Sequence, residues 1–149
     1  MYRRSVGSTG TGATPGAYFA GSAGDAAVIN QHGQVAFSAT LDRPGTENFG
    51  AGLWVESENG LRNVALSEQP GIGLPQTVVL SSFDRLGLSS DGRVSFISRL
   101  SGTPTDIRDA FFVGAPGELR LVAANKTQIE SPNGTLEIAT SQANPIREW

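Results

Sequence analysis

The sequence has no cysteine and a single histidine, His32, among its 149 residues. The absence of cysteine excludes disulfides, thiol nucleophiles and thiolate metal sites. His32 lies in an Asn-Gln-His-Gly segment typical of an exposed turn, and a base for a serine nucleophile would also need an orienting carboxylate. The Gly-x-Ser-x-Gly pattern of a nucleophile elbow is absent as well. The residues therefore favour neither thiol nor serine catalysis.

Long apolar runs and an excess of basic charge are also missing. No apolar run approaches the length of a membrane-spanning helix, and no N-terminal segment joins basic residues to an apolar core. We therefore expect no membrane span and no signal peptide in this chain. Charged residues make up 17% of the chain and the formal net charge is −3. Nucleic-acid binding is not expected, because such modules usually cluster lysine and arginine.

The sequence does contain a short segment that occurs twice. Gly33–Leu41 returns as Gly92–Leu100, at a separation of 59 positions. Valine, phenylalanine and leucine recur at alternate positions in both segments, which predicts a half-buried β-strand. The likeness continues from Leu53–Val55 to Phe111–Val113, at a separation one residue smaller. Repeats of this size are typical of stacked or radially arranged β-units.

Each copy predicts four short strands joined by turns that contain glycine. Asn59-Gly60 is a strong hairpin signal, and Gly92 follows a polar run in which a positive φ is expected. The first copy predicts strands at about Ala26–Asn30, Gln34–Leu41, Gly52–Glu56 and Leu61–Leu66. The second copy predicts strands at about Arg85–Ser89, Arg93–Leu100, Ala110–Gly114 and Leu119–Ala124.

The predicted fold class is all-β, with two tandem four-stranded antiparallel meander units and an extra strand at each end. We expect a single domain over residues 1–149, with internal repeats at approximately 25–82 and 84–140. Residues 1–24 are expected to form the tail of a preceding unit followed by a Gly-rich loop. The units are either propeller blades, which close into rings of about four to eight, or the two sheets of a sandwich.

The first copy resembles a bacterial repeat family of unknown function through the pattern N-x-x-G-Q-V-A-F-x-A-x-L, followed by G-L-W-V, L-x-x-V-A and a Pro-Gly loop. The matching residues are Asn30, Gly33, Gln34, Val35, Ala36, Phe37, Ala39, Leu41, Gly52, Leu53, Trp54, Val55, Leu61, Val64, Ala65, Pro70 and Gly71. The second copy departs from the pattern with Ser89, Arg93 and Phe112 in place of the Asn, Gln and Trp. The resemblance implies a propeller-like scaffold of secreted or surface-anchored proteins, in an extracellular or cell-surface location. It implies no activity.

Loops that differ between the two copies are the first candidates for ligand binding, because variable loops on a fixed scaffold often carry function. Asp106, Arg108 and Asp109 lie in the loop of the second copy that differs most from the first. Glu47 and Asn48 lie in the corresponding loop of the first copy. These five residues are the predicted ligand-binding candidates.

Two aspartates raise the question of a metal site. Asp25 and Asp84 hold the same place in the two copies, just before the first strand. An aspartate there most often caps a turn by accepting backbone N–H bonds, but Ca²⁺ also takes clustered oxygen ligands. No dense acidic loop is present, so a Ca²⁺ site would need ligands from separate loops. No other cofactor is predicted.

Two tryptophans are candidates for interfaces. Trp54 aligns with Phe112 of the second copy and is expected either in the core or at an interface. Trp149 ends the chain and is expected to anchor a partner or a neighbouring subunit, because tryptophan is enriched in interface hot spots.

Three functional hypotheses follow from these patterns. The leading one is a non-catalytic structural or binding module with a protein or glycan partner. Two units cannot close a propeller ring and each leaves an unpaired edge, so we expect a homo-oligomer or part of a longer repeat array that assembles through strand edges. The alternatives are a propeller-type glycan hydrolase or lyase that uses Asp and Glu residues, and a Ca²⁺-stabilised surface repeat. An enzyme is favoured less than a binding module.

Overall fold

The structure of the chain, a computed structural model, describes residues 18–19, 26–43, 46–102, 107–132 and 134–137. Within these ranges the chain forms eleven β-strands and no helix. The strands are β1 (Tyr18–Phe19), β2 (Ala27–Ile29), β3 (Val35–Arg43), β4 (Thr46–Ser57), β5 (Gly60–Leu66), β6 (Val78–Leu88), β7 (Val94–Gly102), β8 (Asp109–Gly114), β9 (Arg120–Ala124), β10 (Gln128–Ser131) and β11 (Gly134–Glu137). The predicted all-β fold class is confirmed.

Two antiparallel sheets and one hairpin account for these strands. In the first sheet, β1 and β2 pair in succession along β3, and β4 and β5 follow. The second sheet has the order β6-β7-β8-β9, while β10 pairs with β11. Both sheets are therefore meanders, as predicted, and the β10–β11 hairpin follows them. The extra strand predicted before the first unit lies outside the described residues.

The first strand of the second sheet is longer than the sequence predicts. β6 begins at Val78, whereas the alternation of side chains predicts a strand at about Arg85–Ser89. Two register shifts interrupt its pairing with β7, and Arg85, beside the second shift, has a φ of 53°. Such bulges break the period-two pattern, which is the signal that a sequence-based boundary depends on.

Each sheet has one face marked by a pair of large aromatic rings, which we call its aromatic face. Phe37 pairs with Trp54 across β3 and β4 in the first sheet, and Phe96 pairs with Phe112 across β7 and β8 in the second. The two pairs stack with ring centroids 5.8 Å and 5.3 Å apart, respectively. We call the opposite face the back face, because successive side chains of a strand point to opposite sides. The back face of the first sheet carries Ala36, Ser38, Leu53, Val55 and Ala65.

The two sheets pack through unlike faces. The main core cluster joins the back face of the first sheet to the aromatic face of the second. Its buried members are Ala36, Leu53, Val55 and Ala65 from the first sheet, and Leu80, Phe83, Val94, Phe96, Ala110, Phe112 and Ala124 from the second. A separate cluster on the aromatic face of the first sheet contains Ala39, Leu41 and Trp54, with Phe19, Phe37, Leu61 and Leu66 packed against them.

Both aromatic faces therefore point in the same direction along the stack. A sandwich in which the two aromatic faces met would place Trp54 and Phe112 in one cluster, and they lie in two. The sheets come closest at β6, which contacts β2, β3 and β4. The two sheets therefore pack face to face through unlike faces.

Candidate functional site

Two turns, one from each sheet, lie against each other. The side chain of Asn30, at the end of β2, accepts hydrogen bonds at Oδ1 from the backbone N–H of His32 and Gln34, at 3.0 and 3.1 Å. Its Nδ2 donates to Gln34 Oε1 at 2.8 Å and to the carbonyl oxygen of Ser89 at 2.9 Å. Asn30 therefore closes its own turn and also ties that turn to the β6–β7 turn of the second sheet.

The β6–β7 turn is closed by a smaller residue. The Oγ of Ser89 accepts a hydrogen bond from the backbone N–H of Arg93 at 2.9 Å, and its hydroxyl donates to the carboxylate of Asp91. The Nε of Arg93 lies 3.3 Å from Asp91 Oδ2. The hydrogen bond from the Ser89 hydroxyl holds the pKa of Asp91 below its ordinary value of 3.8. Desolvation opposes this effect, and the backbone N–H and the charge of Arg93 add smaller contributions that lower the pKa.

A cleft of about 440 Å³ lies where β7 ends and β8 begins. Its described lining consists of Arg99, Leu100, Ser101, Gly102, Ile107, Arg108 and Asp109. Both arginines are exposed and Asp109 is half-buried. Two guanidinium groups against one carboxylate give this lining an excess of positive charge, which suits an anionic group better than a cation.

The side chain of Asn125 fixes the backbone beside this cleft. Its Oδ1 accepts hydrogen bonds from the N–H of Arg108 and Asp109, at 2.6 and 3.0 Å. The backbone N–H of Asn125 in turn donates to the Asp109 carbonyl at 2.9 Å, and the N–H of Leu100 donates to the Arg108 carbonyl at 2.7 Å. The start of β8 is thus held from both sides, so Arg108 and Asp109 project from a fixed backbone.

The chain matches the model of one protein family. A model of a family of unknown function, DUF7453, matches residues 5–146. The chain belongs to this family. The match spans both sheets and the β10–β11 hairpin, so the family's unit contains the whole two-sheet arrangement and not one sheet alone.

The remaining comparisons add no relative to this DUF7453 chain. No curated protein and no solved structure matches it. Within the described ranges, no helix has the length and apolar character needed to cross a bilayer. The predicted resemblance to an uncharacterised family is supported by the match of the family model to residues 5–146.

The predicted ligand-binding residues of the DUF7453 chain fall in different places. Arg108 and Asp109 lie together at the cleft, where Asp109 is the first residue of β8 and not part of the predicted loop. Asp106 lies outside the described residues. Glu47 and Asn48 belong to strand β4, which begins at Thr46, and not to the expected loop; their role in ligand binding stays a prediction. The β3–β4 hairpin is longer than expected because the backbone pairs as far as Arg43 and Thr46, although the residues there are polar.

Of the two predicted metal ligands, Asp84 is the one that lies within the described residues. Asp84 lies in β6, exposed, with its Oδ2 accepting a hydrogen bond from Ser82 Oγ at 3.2 Å. Asp25 lies outside the described residues. In the part of the chain that the structure describes, no group of three or more His, Cys, Asp or Glu side chains could hold a metal ion. The role of Asp84 as a Ca²⁺ ligand therefore stays a prediction.

Trp54 lies in the core of the DUF7453 chain. Its side chain is 0% exposed and packs edge-on against Phe19, with ring centroids 4.9 Å apart. Of the two positions expected for it, core and interface, the structure places it in the core. Trp149 lies outside the described residues, so its role at an interface stays a prediction.

Two residues of the cleft region were not among the sequence-based candidates. Arg99 lies in β7 opposite Asp109 in β8, and Asn125 holds the backbone of Arg108 and Asp109. Arg99 could have been found by comparing the copies, because the first copy has Thr40 at that position. Asn125 carries no such signal, since its role depends on a contact across the sheet.

Proposed function

We propose that this DUF7453 chain is a non-catalytic structural or binding module that assembles through the open edges of its stacked sheets. The observation that carries the proposal is that β5 and β9, the last strands of the two sheets, each pair on one side only among the described strands. An edge of this kind presents a row of backbone N–H and C=O groups with which another strand can pair. A module of this kind suits the extracellular or cell-surface role that the family resemblance implies.

Two of the edges available for such assembly are the last strands of the two sheets. Among the described strands, β5 pairs with β4 and β9 pairs with β8, each on one side. The edge of β6 differs, because the preceding connection covers part of it: the N–H of Glu68 donates to the Leu80 carbonyl at 2.8 Å, and Pro70 forms a bridge to Val79. Unpaired N–H and C=O groups on β5 and β9 can accept another strand.

The cleft favours binding over glycan hydrolysis. Glycosidases usually need two carboxyl groups on either side of the scissile bond. Among the described lining residues, Asp109 is the single carboxylate, and Arg99 and Arg108 flank it. Two arginines suit recognition of an acidic partner, such as a glycan or peptide that carries carboxylate groups.

Hydrogen exchange at two protein concentrations tests the assembly. If edges pair between copies, backbone amides of β5 and β9 exchange more slowly as the concentration rises, while those of the central strands β4 and β8 do not change. Light scattering on the same samples gives the mass. Concentration-independent exchange at β5 and β9, together with a constant monomer mass, would contradict assembly through edges.

A further inference from the structure

The β10–β11 hairpin repeats the connection that leads from the first sheet into the second. In that connection Pro70 forms an antiparallel bridge to Val79, the second residue of β6. In the hairpin Gln128 pairs antiparallel with Glu137, the last residue of β11. Both residues of the second pair follow those of the first at the shorter of the two separations of the repeat. The strand β11 therefore holds the place at which β6 begins.

The turns that lead into these two segments have the same backbone conformation. Glu68, after β5, has a φ of 64°, and Lys126, after β9, has a φ of 66°. A positive φ is uncommon in residues other than glycine, so its recurrence at the same position of both copies marks one kind of turn. The chain thus leaves the second sheet as it leaves the first, on the path that ends in the first strand of the next unit.

One edge of β11 corresponds to the edge of β6 that pairs with β7. The carbonyl of Val78 and the N–H of Leu80 form hydrogen bonds to the preceding connection, at 3.1 and 3.0 Å. Because backbone groups alternate between the two sides of a strand, Val79 directs its N–H and C=O to the other side, where it pairs with Ser101 of β7. Glu137 holds the place of Val79, and β10 holds that of the connection. The backbone of Glu137 therefore faces an edge at which no described strand pairs with β11.

We propose that this edge of β11 accepts the second strand of a further repeat unit, supplied by another chain, which pairs with β11 as β7 pairs with β6. In the second sheet Val78 lies opposite Gly102, and Val79 lies opposite Ser101. The same register places a glycine of the incoming strand opposite Leu136. When a strand is added to a sheet edge, main-chain hydrogen bonds provide the affinity. The contact rests on the proposed function as an assembling module and names one edge and its partner.

The glycine of the incoming strand gives the contact its specificity. Gly102 has a φ of 105°, and a Cβ at this residue would overlap with the carbonyl oxygen of Thr77. In β11 the place of Thr77 is held by Thr135, again a threonine. We therefore expect the partner strand to carry the pattern V-x-F-x-x-x-L-x-G of Val94–Gly102. The corresponding strand of the first copy has Arg43 in place of the glycine and does not fit.

A synthetic peptide with the sequence of Arg93–Gly102 tests this acceptor edge on the full chain. Hydrogen exchange at the Glu137 amide should slow about tenfold when the free peptide exceeds its dissociation constant about tenfold, because exchange then requires the peptide to leave. The Leu136 amide, which faces β10 by the same alternation, should not change. The same peptide with Gly102→Val is the matched control and should not slow exchange at Glu137. Equal protection by both peptides, or protection by neither at any concentration, overturns the proposal.

Two variants of the chain test the same edge from the other side. Glu137→Pro removes the N–H that faces the incoming strand, and proline is tolerated where a strand edge has no partner. Glu137→Ala keeps that N–H. Fluorescence anisotropy of the labelled peptide should show binding to the alanine variant and none to the proline variant; equal binding to both contradicts pairing through this edge. If the peptide slows exchange at β5 or β9 and not at Glu137, β11 is not the acceptor, and the edge assembly of the proposed function stands.

Discussion

Asn30 donates a 2.9 Å hydrogen bond from its side-chain amide to the carbonyl oxygen of Ser89, which lies 59 positions later in the chain. The two residues directly follow strands β2 and β6 at the start of two turns, so the bond joins corresponding points of the two sheets. Ser89 closes its own turn through Oγ, but a serine has no amide that could reach onward to another turn. The asparagine thus combines a local role with a contact between sheets, whereas the serine keeps the local role.

The first prediction separates these two roles. Asn30→Ser should keep a hydroxyl that can close the turn, as Ser89 does, and lose the two bonds that Nδ2 donates, to the Ser89 carbonyl and to Gln34 Oε1. One neutral hydrogen bond contributes about 1 kcal/mol to the free energy of unfolding, so we expect a loss of about 1–2 kcal/mol. Asn30→Ala should cost more, because the N–H groups of His32 and Gln34 also lose their acceptor. Urea unfolding of the two variants measures both effects. Equal losses would contradict this prediction, because they would mean that the acceptor for the His32 and Gln34 N–H groups does not stabilise the fold.

The second prediction concerns the contact between Gly52 and the indole ring of Trp54. A side chain at Gly52 would collide with Trp54 Cη2 and come within 2.8 Å of Leu66 Cδ2. In the second sheet the corresponding residues are Ala110 and the smaller Phe112, which lie together in the core. Gly52→Ala should therefore destabilise the fold by about 1–3 kcal/mol through overpacking.

A compensating substitution gives the control for this clash. Gly52→Ala combined with Trp54→Phe reproduces the pair found in the second sheet, so the double variant should be more stable than the sum of the single changes predicts. Contacting residues show interaction energies of about 0.5–3 kcal/mol in such cycles. Strictly additive free energies of unfolding would mean that the two residues do not share one space.

The third prediction concerns pH. Because the pKa of Asp91 is lowered in the folded chain, its ionised form stabilises the turn at all pH values above the ordinary 3.8. That contribution is lost as the pH falls below 3.8 towards the folded-state pKa. Carboxyl NMR titration should find the lowered pKa in the wild type. Ser89→Ala should raise it most, and Arg93→Gln should raise it less, since that variant keeps the backbone N–H. A wild-type pKa at or above 3.8 would contradict these contacts.

The fourth prediction concerns the backbone next to the cleft. Asn125→Ala removes the acceptor for the N–H groups of Arg108 and Asp109 and should cost about 1 kcal/mol, the usual net contribution of a hydrogen bond. Asn125→Asp keeps an oxygen in the same place and should cost less. Hydrogen exchange of the Arg108 and Asp109 amides reports the local effect: it should accelerate in the alanine variant and stay near the wild-type rate in the aspartate variant.

Alternation and turn chemistry made the strands predictable. Val94, Phe96 and Ser98 lie on one buried face of β7, as their spacing indicates, and Gly33 and Gly92 have φ values of 78° and 79° in their turns. These features depend on residues that lie close together in the chain, so they can be predicted from the sequence alone.

The order of the faces could not be predicted in the same way. Phe37 and Ala36 are neighbours in β3, and each belongs to an apolar cluster on its own side of the sheet. When both faces are apolar, alternation does not say which one meets the second sheet. The cleft residue Asp109 was predicted from its variable loop, but its cross-strand partner Arg99 needed the register of β7 and β8.

The direction of stacking is tested most directly by NMR contacts between side chains of the two sheets. If the aromatic face of the second sheet packs on the back face of the first, the ring protons of Phe83 show nuclear Overhauser effects to methyl groups of the Ala36, Leu53 and Val55 cluster. The indole protons of Trp54 show them to Phe19 and none to Phe112. Strong effects between Trp54 and Phe112 would mean that the two aromatic faces meet, and would contradict the unlike-face packing.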